Sequence, residues 1–326
     1  MFFGYPIAAT AENWLHSCVC EIVMIVHACI EAGEDIPGWP DVVPAEYRLQ
    51  LQSRLGLRDR IYRYAEAARE LSGDELEQVE LCLIQQNDIT SLLDCTGDCD
   101  VIADLPEEIG GPSEDLFTFS FRLLSDLGIR DEQYRQIYKA LSYAVCPFCG
   151  SEYFDSPTSH REDFDHYLAR TIYPFAAANL RNLSPMGKKC NGYKLQKDML
   201  RDAAGDRRRA FDPYGEVQVT VSLINSVPFG GPDDQTPRWH VEFNPDSPEC
   251  VTWDAVFSNK SFGPWLAQFA AWFRNRIGLA DLSDNRLLEG IREHRKNLSF
   301  QGFKAREFLC VRVFEMLEFQ DRKSVV

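Results

Sequence analysis

Apolar residues fall into helical spacing over residues 10–32, 45–71, 73–86 and 131–144, with breaker stretches such as "GWPDVVP" and "LPEEIGGPSED" between them. The first 140 residues therefore read as all-helical. From 146 to 195 the pattern turns short and irregular, with turn residues around cysteines, and a helix is predicted to start near Lys189 and run through "CNGYKLQKDML". Alternation of period two appears in "EVQVTVSLI" and "RWHVEFNP", two strands expected to pair as a hairpin across the loop "NSVPFGGPDDQTP". Helical patterns at about 261–278, 283–297 and 302–319 finish the chain. The expected fold class is α+β, mostly helical: a helical region over 1–140, a small metal-type core over 141–210, and a hairpin with C-terminal helices over 211–326.

Composition adds constraints. At 326 residues the chain is long enough for about two domains of roughly 150 residues each. A net charge of −16 argues against a surface that attracts nucleic acid as a whole, so any polyanion site must be local. Eleven cysteines are an odd number for a disulfide framework, and "MFFGYPIAATAENW" has no basic segment before an apolar run. Reduced thiols in a cytoplasm, buried or on a metal, are expected. The most apolar stretch, "WLHSCVCEIVMIVHACI" at 14–30, is too short for a membrane span and contains Glu21, so a buried amphipathic helix is the expectation. His16 and His27 on that helix read as core or interface residues, while His240 and His294 have no partner in sequence.

Candidate chemistry concentrates in the middle. Cys146 and Cys149 in "CPFCG" have the spacing that lets two thiolates grip one zinc from a tight turn; buried thiols or redox chemistry are the other readings of the pair. Asp165 and His166 follow in "DFDHYL"; on a strand they would point to opposite faces, one toward a metal and the other toward a water. In "NLRNLSPMGKKCNGYK", Asn182 is placed to tie a loop together through its amide, and Asn191 to offer a carbonyl oxygen to a hard cation from the start of a helix. Each asparagine alone is an ordinary cap or turn residue. Their order is the signal.

The succession C-x-x-C, Asp-His, Tyr-Pro, Asn-Leu-x-Pro, Cys-Asn-x-x-Lys resembles the HNH endonucleases, whose ββα-metal motif is a hairpin followed by a helix around one divalent cation. The resemblance spans about 50 residues; "FDPYGEV", the later hairpin and "WFRNRIGL" also look like the segment that follows the motif in some bacterial members. Some of that subset resemble the nuclease subunits of Septu-type antiphage defence pairs, which work with an ATPase. Carried over by position, the resemblance implies Asp165 as first metal ligand, His166 as general base, Asn182 as the loop-ordering asparagine and Asn191 as the ligand from the helix. Oxygen ligands of this kind suit Mg2+ or Mn2+. A neutral imidazole suits proton abstraction from water near neutral pH.

Two departures stand out. The family closes its zinc site with a second C-x-x-C, whereas "GKKC" has Gly187 at the first position and only Cys190 remains, leaving three thiolates. His160, Cys95 and Cys99 are the candidate substitutes for a fourth ligand, and loss of the zinc is the alternative. Ala169 stands where the family often has proline.

Between 181 and 209 nine Lys/Arg face three Asp, and Lys188, Lys189, Lys194, Lys197 and Arg201 are the expected phosphate contacts. A solvated helix face is the ordinary alternative, above all for "DRRRA". The resulting expectation is a metal-dependent endonuclease, with DNA preferred over RNA through the resemblance alone. The acidic background predicts a protein partner that positions it, and the Septu-like resemblance implies that this partner is an ATPase. The competing class is an inert, zinc-knuckle-like binding module.

Overall fold

In the computed structural model the described residues are 3–141, 144–150, 152–159, 163–227, 238–244, 246–258, 292 and 307–324. Within them the protein is mostly helical, with two small antiparallel pairs, an α+β arrangement. The helical region comprises α1 (Trp14–Ala32), α2 (Ala45–Leu51), α3 (Leu55–Ala68), α4 (Gly73–Asn87), α5 (Ile89–Leu93), α6 (Glu107–Asp126) and α7 (Ile129–Ala140).

Local chemistry sets several of these ends. Gly33 takes the left-handed conformation (φ 67°), and Glu34 N–H donates to the Cys29 carbonyl, closing α1 with the turn only glycine adopts cheaply. Ser72 and Glu75 form a reciprocal capping box at the start of α4, satisfying two amides that the helix leaves open. The pattern read as one helix over 45–71 is divided at 52–54 into α2 and α3.

The larger correction is α6. "LPEEIGGPSED" lies mostly inside a 20-residue helix, capped by Pro106 and carrying Pro112 in its second turn. A proline there forfeits one backbone hydrogen bond, but Ile109, Ser113, Leu116, Phe117, Ser120, Leu123 and Leu124 form a continuous buried face, and that burial outweighs local propensity. α6 packs along α3, and α1 sits against α3, α4 and α6. α1 is the one helix among the described residues long and apolar enough to cross a membrane; Leu15, Val19, Ile22, Val23 and Val26 are instead buried in this core.

The central segment forms β1 (Phe164–His166) and β2 (Leu183–Pro185), paired antiparallel with Asp165 opposite Ser184, followed by α8 (Lys188–Lys194). α8 is shorter than expected: Leu195, with φ 47°, turns the chain out of the helix before "QKDML". The loop between the strands is stitched onto the helical region by buried amides. Gln86 Oε1 accepts from Phe175 N–H at 3.0 Å, and Gln133 Nε2 donates to the Leu180 carbonyl at 2.9 Å. One apolar core runs without interruption from the helices into this unit.

The later hairpin is present but shorter than the alternation suggested, as β3 (Thr220–Ser222) and β4 (Glu242–Asn244) with a further bridge between Val227 and Arg238. It is followed by α9 (Pro248–Trp253) and a π turn over Asp254–Ser258. The expected helices at 261–278 and 283–297 lie almost wholly outside the described residues, and the third appears as the helix Glu307–Ser324.

Candidate catalytic and metal-binding site

The four residues singled out as catalytic lie on one connected unit: Asp165 and His166 on β1, Asn182 at the entry to β2 and Asn191 on α8. Asn182 is fully buried at the entry to β2. Its Oδ1 accepts from Leu168 N–H at 2.6 Å, and its Nδ2 donates to the carbonyls of Leu168 and Ala176 at 3.0 and 3.1 Å. One side chain thereby satisfies three backbone groups and fixes both ends of the loop after β1.

That loop turns the Ala177 carbonyl toward His166, whose Nε2 lies 3.1 Å from the oxygen. A carbonyl only accepts, so Nε2 carries the proton and Nδ1 keeps the lone pair. The ring is packed at 4.3 Å from the Phe121 ring of α6. Burial, followed by the charge of Arg170, lowers the His166 pKa to about 3; Lys194 and Arg130 act in the same direction. The imidazole is therefore neutral at physiological pH, and three cations surround it.

Asp165 points away from that ring, as residues adjacent on a strand do. Its Oδ2 is 2.9 Å from Lys194 Nζ, with side-chain exposures of 13% and 0%. Burial raises the Asp165 pKa, and the ammonium opposes that shift. Lys194 also donates to the His166 carbonyl at 2.7 Å. Lys194, expected among surface phosphate contacts, is thus an internal brace: a buried ammonium needs acceptors, and it has found a carboxylate and a carbonyl. Asn191 lies one turn earlier on α8, half-buried, with Lys194 between it and Cys190 around the helix.

Cys190 leads to the second centre. The Sγ atoms of Cys146, Cys149 and Cys190 lie within 4.8 Å of one another and all three residues are buried, a cluster that can hold a metal such as zinc. Ideal tetrahedral thiolates on zinc sit about 3.8 Å apart, given bonds of about 2.3 Å. Gly150, at φ 58°, lets the "CPFCG" turn close, with its N–H on the Cys146 carbonyl at 2.7 Å. Burial pushes the Cys146 thiol well up, and the neighbouring thiols Cys146 and Cys149 push Cys190 up further. Three such thiols can ionise together only around a cation. Trp253 Nε1 donates to the Phe148 carbonyl at 3.1 Å and closes the turn from outside. Cys95 and Cys99 are not part of the cluster, and His160 lies outside the described residues.

The basic patch is narrower than composition suggested. Arg181 makes a two-pronged bridge to Asp212 at 3.0 and 2.8 Å, and Arg201 and Arg207 both reach Asp98. Arg208 donates to the Asp198 carbonyl, and Lys197 to that of Val256. Lys188 and Lys189 remain exposed at the start of α8. Sequence reasoning missed Arg130, Arg170 and Phe121 beside His166, and Glu152 beside Gly187. Phe121 was hidden inside a helix that the glycines and proline disguised, and a lone arginine carries no signal of its neighbours.

Comparison with family models, with characterised proteins and with solved structures gave no match to this chain.

Proposed function

We propose that the protein is a metal-dependent endonuclease of the HNH type that hydrolyses nucleic-acid phosphodiester bonds, DNA in preference to RNA. The observation that supports it most is the neutral His166, held by the Ala177 carbonyl on Nε2 and backed by Phe121, beside Asp165 on a strand–strand–helix unit locked by Asn182.

In this reading His166 Nδ1 takes a proton from water; the Ala177 carbonyl favours the imidazolium that results, burial and the cations around the ring oppose it, and the charge of a bound phosphate would offset those cations. Asp165 and Asn191 would hold Mg2+ or Mn2+, which neutralises developing charge on the phosphate and on the leaving oxygen. Asp165 has one oxygen committed to Lys194, so it would bind through a single oxygen. Arg130 and Arg170 supply positive potential around the base, and exposed Lys188 and Lys189 are the phosphate contacts available from α8. The cysteine cluster would take zinc and fix the start of the helix that carries Asn191 and Lys194. Eleven free cysteines suit a reducing cytoplasm. The −16 charge calls for a protein partner to bring the site to its polyanion, an ATPase if the Septu-like resemblance extends to the complex.

Cleavage of supercoiled plasmid with Mg2+ or Mn2+, an EDTA control and the His166→Ala protein tests the reading. Metal-dependent nicking that falls about 100-fold or more in the variant is the expected result. Equal cleavage by both proteins would refute the role of His166. A second reading, an inert module, draws on the Lys194–Asp165 bridge as a structural pair. Absence of cleavage on plasmid and on RNA, with and without co-expressed partners, is the outcome that favours it.

A further inference from the structure

The three buried thiols leave a tetrahedral ion one ligand short, and the surroundings of Gly187 indicate where the fourth comes from. Gly187 N–H lies 3.3 Å from Cys146 Sγ, so residue 187 borders the sulfur cluster directly. It has no side chain, yet its side-chain space is filled. A Cβ built on Gly187 would stand 2.5 Å from Glu152 Oε2 and 3.0 Å from Glu152 Cδ. The carboxylate of Glu152 thus lies where a side chain of residue 187 would begin.

Glu152 is also tied to the cysteine turn by its backbone. Cys146 N–H donates to the Glu152 carbonyl at 2.8 Å, and Val145 bridges Tyr153, so the C-x-x-C turn and Glu152 belong to one small antiparallel loop. The half-buried carboxylate accepts from Lys189 N–H at 3.1 and 3.3 Å, which holds it at the edge of the site.

We infer that Glu152 is the fourth ligand of a zinc site made by three cysteines and one glutamate, its carboxylate taking the place that Gly187 leaves empty. This rests on the zinc reading of the cysteine cluster and is independent of the nuclease chemistry. The carboxylate lies outside the sulfur trio while it accepts from Lys189, so ligation would turn it from that amide toward the ion. Carboxylate oxygen is an ordinary zinc ligand at about 2.0–2.2 Å.

The experiment uses the full-length protein. Zinc content is measured by elemental analysis, zinc affinity by competition with a chromophoric chelator, and ligand type by the absorption spectrum after Co2+ replacement. Wild type should carry one zinc, and its Co2+ spectrum should show a tetrahedral site with three thiolates. Glu152→Gln should weaken zinc binding about 10–100-fold with the helical circular dichroism unchanged, and should alter the Co2+ bands. Glu152→Ala combined with Gly187→Cys should restore affinity and raise the thiolate-to-cobalt absorbance from three sulfurs' worth to four. Unchanged affinity and Co2+ spectrum in Glu152→Gln would overturn the assignment and leave the residue a hydrogen-bond partner of Lys189. A wild-type protein that binds no zinc would overturn both the cysteine site and its fourth ligand. Loss of plasmid cleavage with zinc retained would touch the nuclease reading alone.

Discussion

Lys194→Met keeps most of the stem's volume and deletes the ammonium shared by Asp165 Oδ2 and the His166 carbonyl. Breaking one side of a buried ion pair costs about 3–5 kcal/mol, because the surviving charge stays in the dry site. Asp165 can relieve part of that by taking a proton, since burial already raises its pKa and Lys194 is the leading influence opposing the rise. The sign follows: a carboxylate whose folded pKa lies above its unfolded value binds more protons when folded, so its stability falls as pH rises through that window. The deficit of Lys194→Met should accordingly be largest near pH 7 and shrink as pH falls toward about 5. Removing the second charge as well, with Asp165→Asn, should recover at least about half the loss, because neutral groups escape the desolvation penalty. Urea unfolding followed by tryptophan fluorescence, extrapolated to water at several pH values, measures all three proteins. A loss below about 1 kcal/mol, a deficit flat with pH, or a double variant no better than the single would each refute the brace.

Asn182→Ala strands the Leu168 amide and the carbonyls of Leu168 and Ala176, and should cost about 3–9 kcal/mol at roughly 1–3 kcal/mol per unsatisfied group, read by urea unfolding; a loss under about 1 kcal/mol contradicts the clamp. His27 is buried between Tyr64 Oη at 2.9 Å and Glu80 at 3.2 Å, and burial lowers its pKa to about 4. The unfolded chain binds that proton first, so stability falls as pH drops from about 6.5 to 4, at up to about 1.4 kcal/mol per pH unit. Glu80, whose pKa is raised by burial, works against that slope, so the comparison with His27→Gln isolates the histidine; an identical slope in the two proteins would contradict the reading. Gly4→Ala drives a Cβ to within 1.9 Å of the Gly215 carbonyl oxygen, so the segment bearing Tyr5 must move; a clear drop in melting temperature is expected, and an unchanged one would show that the contact yields freely.

The helical half and the cysteine turn could be read from the chain because their signals are local, apolar spacing and the C-x-x-C turn; the short strands β1 and β2 leave no alternation to read, and a strand–strand–helix order is implied only by the family resemblance. Asn182 shows how far that goes, since its loop-tying role was expected, whereas the identity of the three backbone groups it holds required the fold. α6 is hidden in the sequence because glycine and proline announce a break, and only the apolar face it presents to α3 overrides them. A lysine in sequence reads as surface charge; the burial of Lys194 depends on Asp165, 29 residues earlier, being directed at it. Glu152 gave no signal, because its meaning lies in the missing side chain of a residue distant in sequence and adjacent in space.

Phe121 on α6 forms one wall of the His166 pocket, and the Arg130 guanidinium lies 4.5 Å above that same ring. The central unit is therefore not a transplantable cassette: an excised fragment starting at residue 141 would expose the imidazole on the face that now excludes water. Recombination between genes would have to move α6 and α7 together with it. Phe121, half-buried, packs against the core that α6 shares with α3, so the seating of the His166 ring and the packing of the two helices are set together.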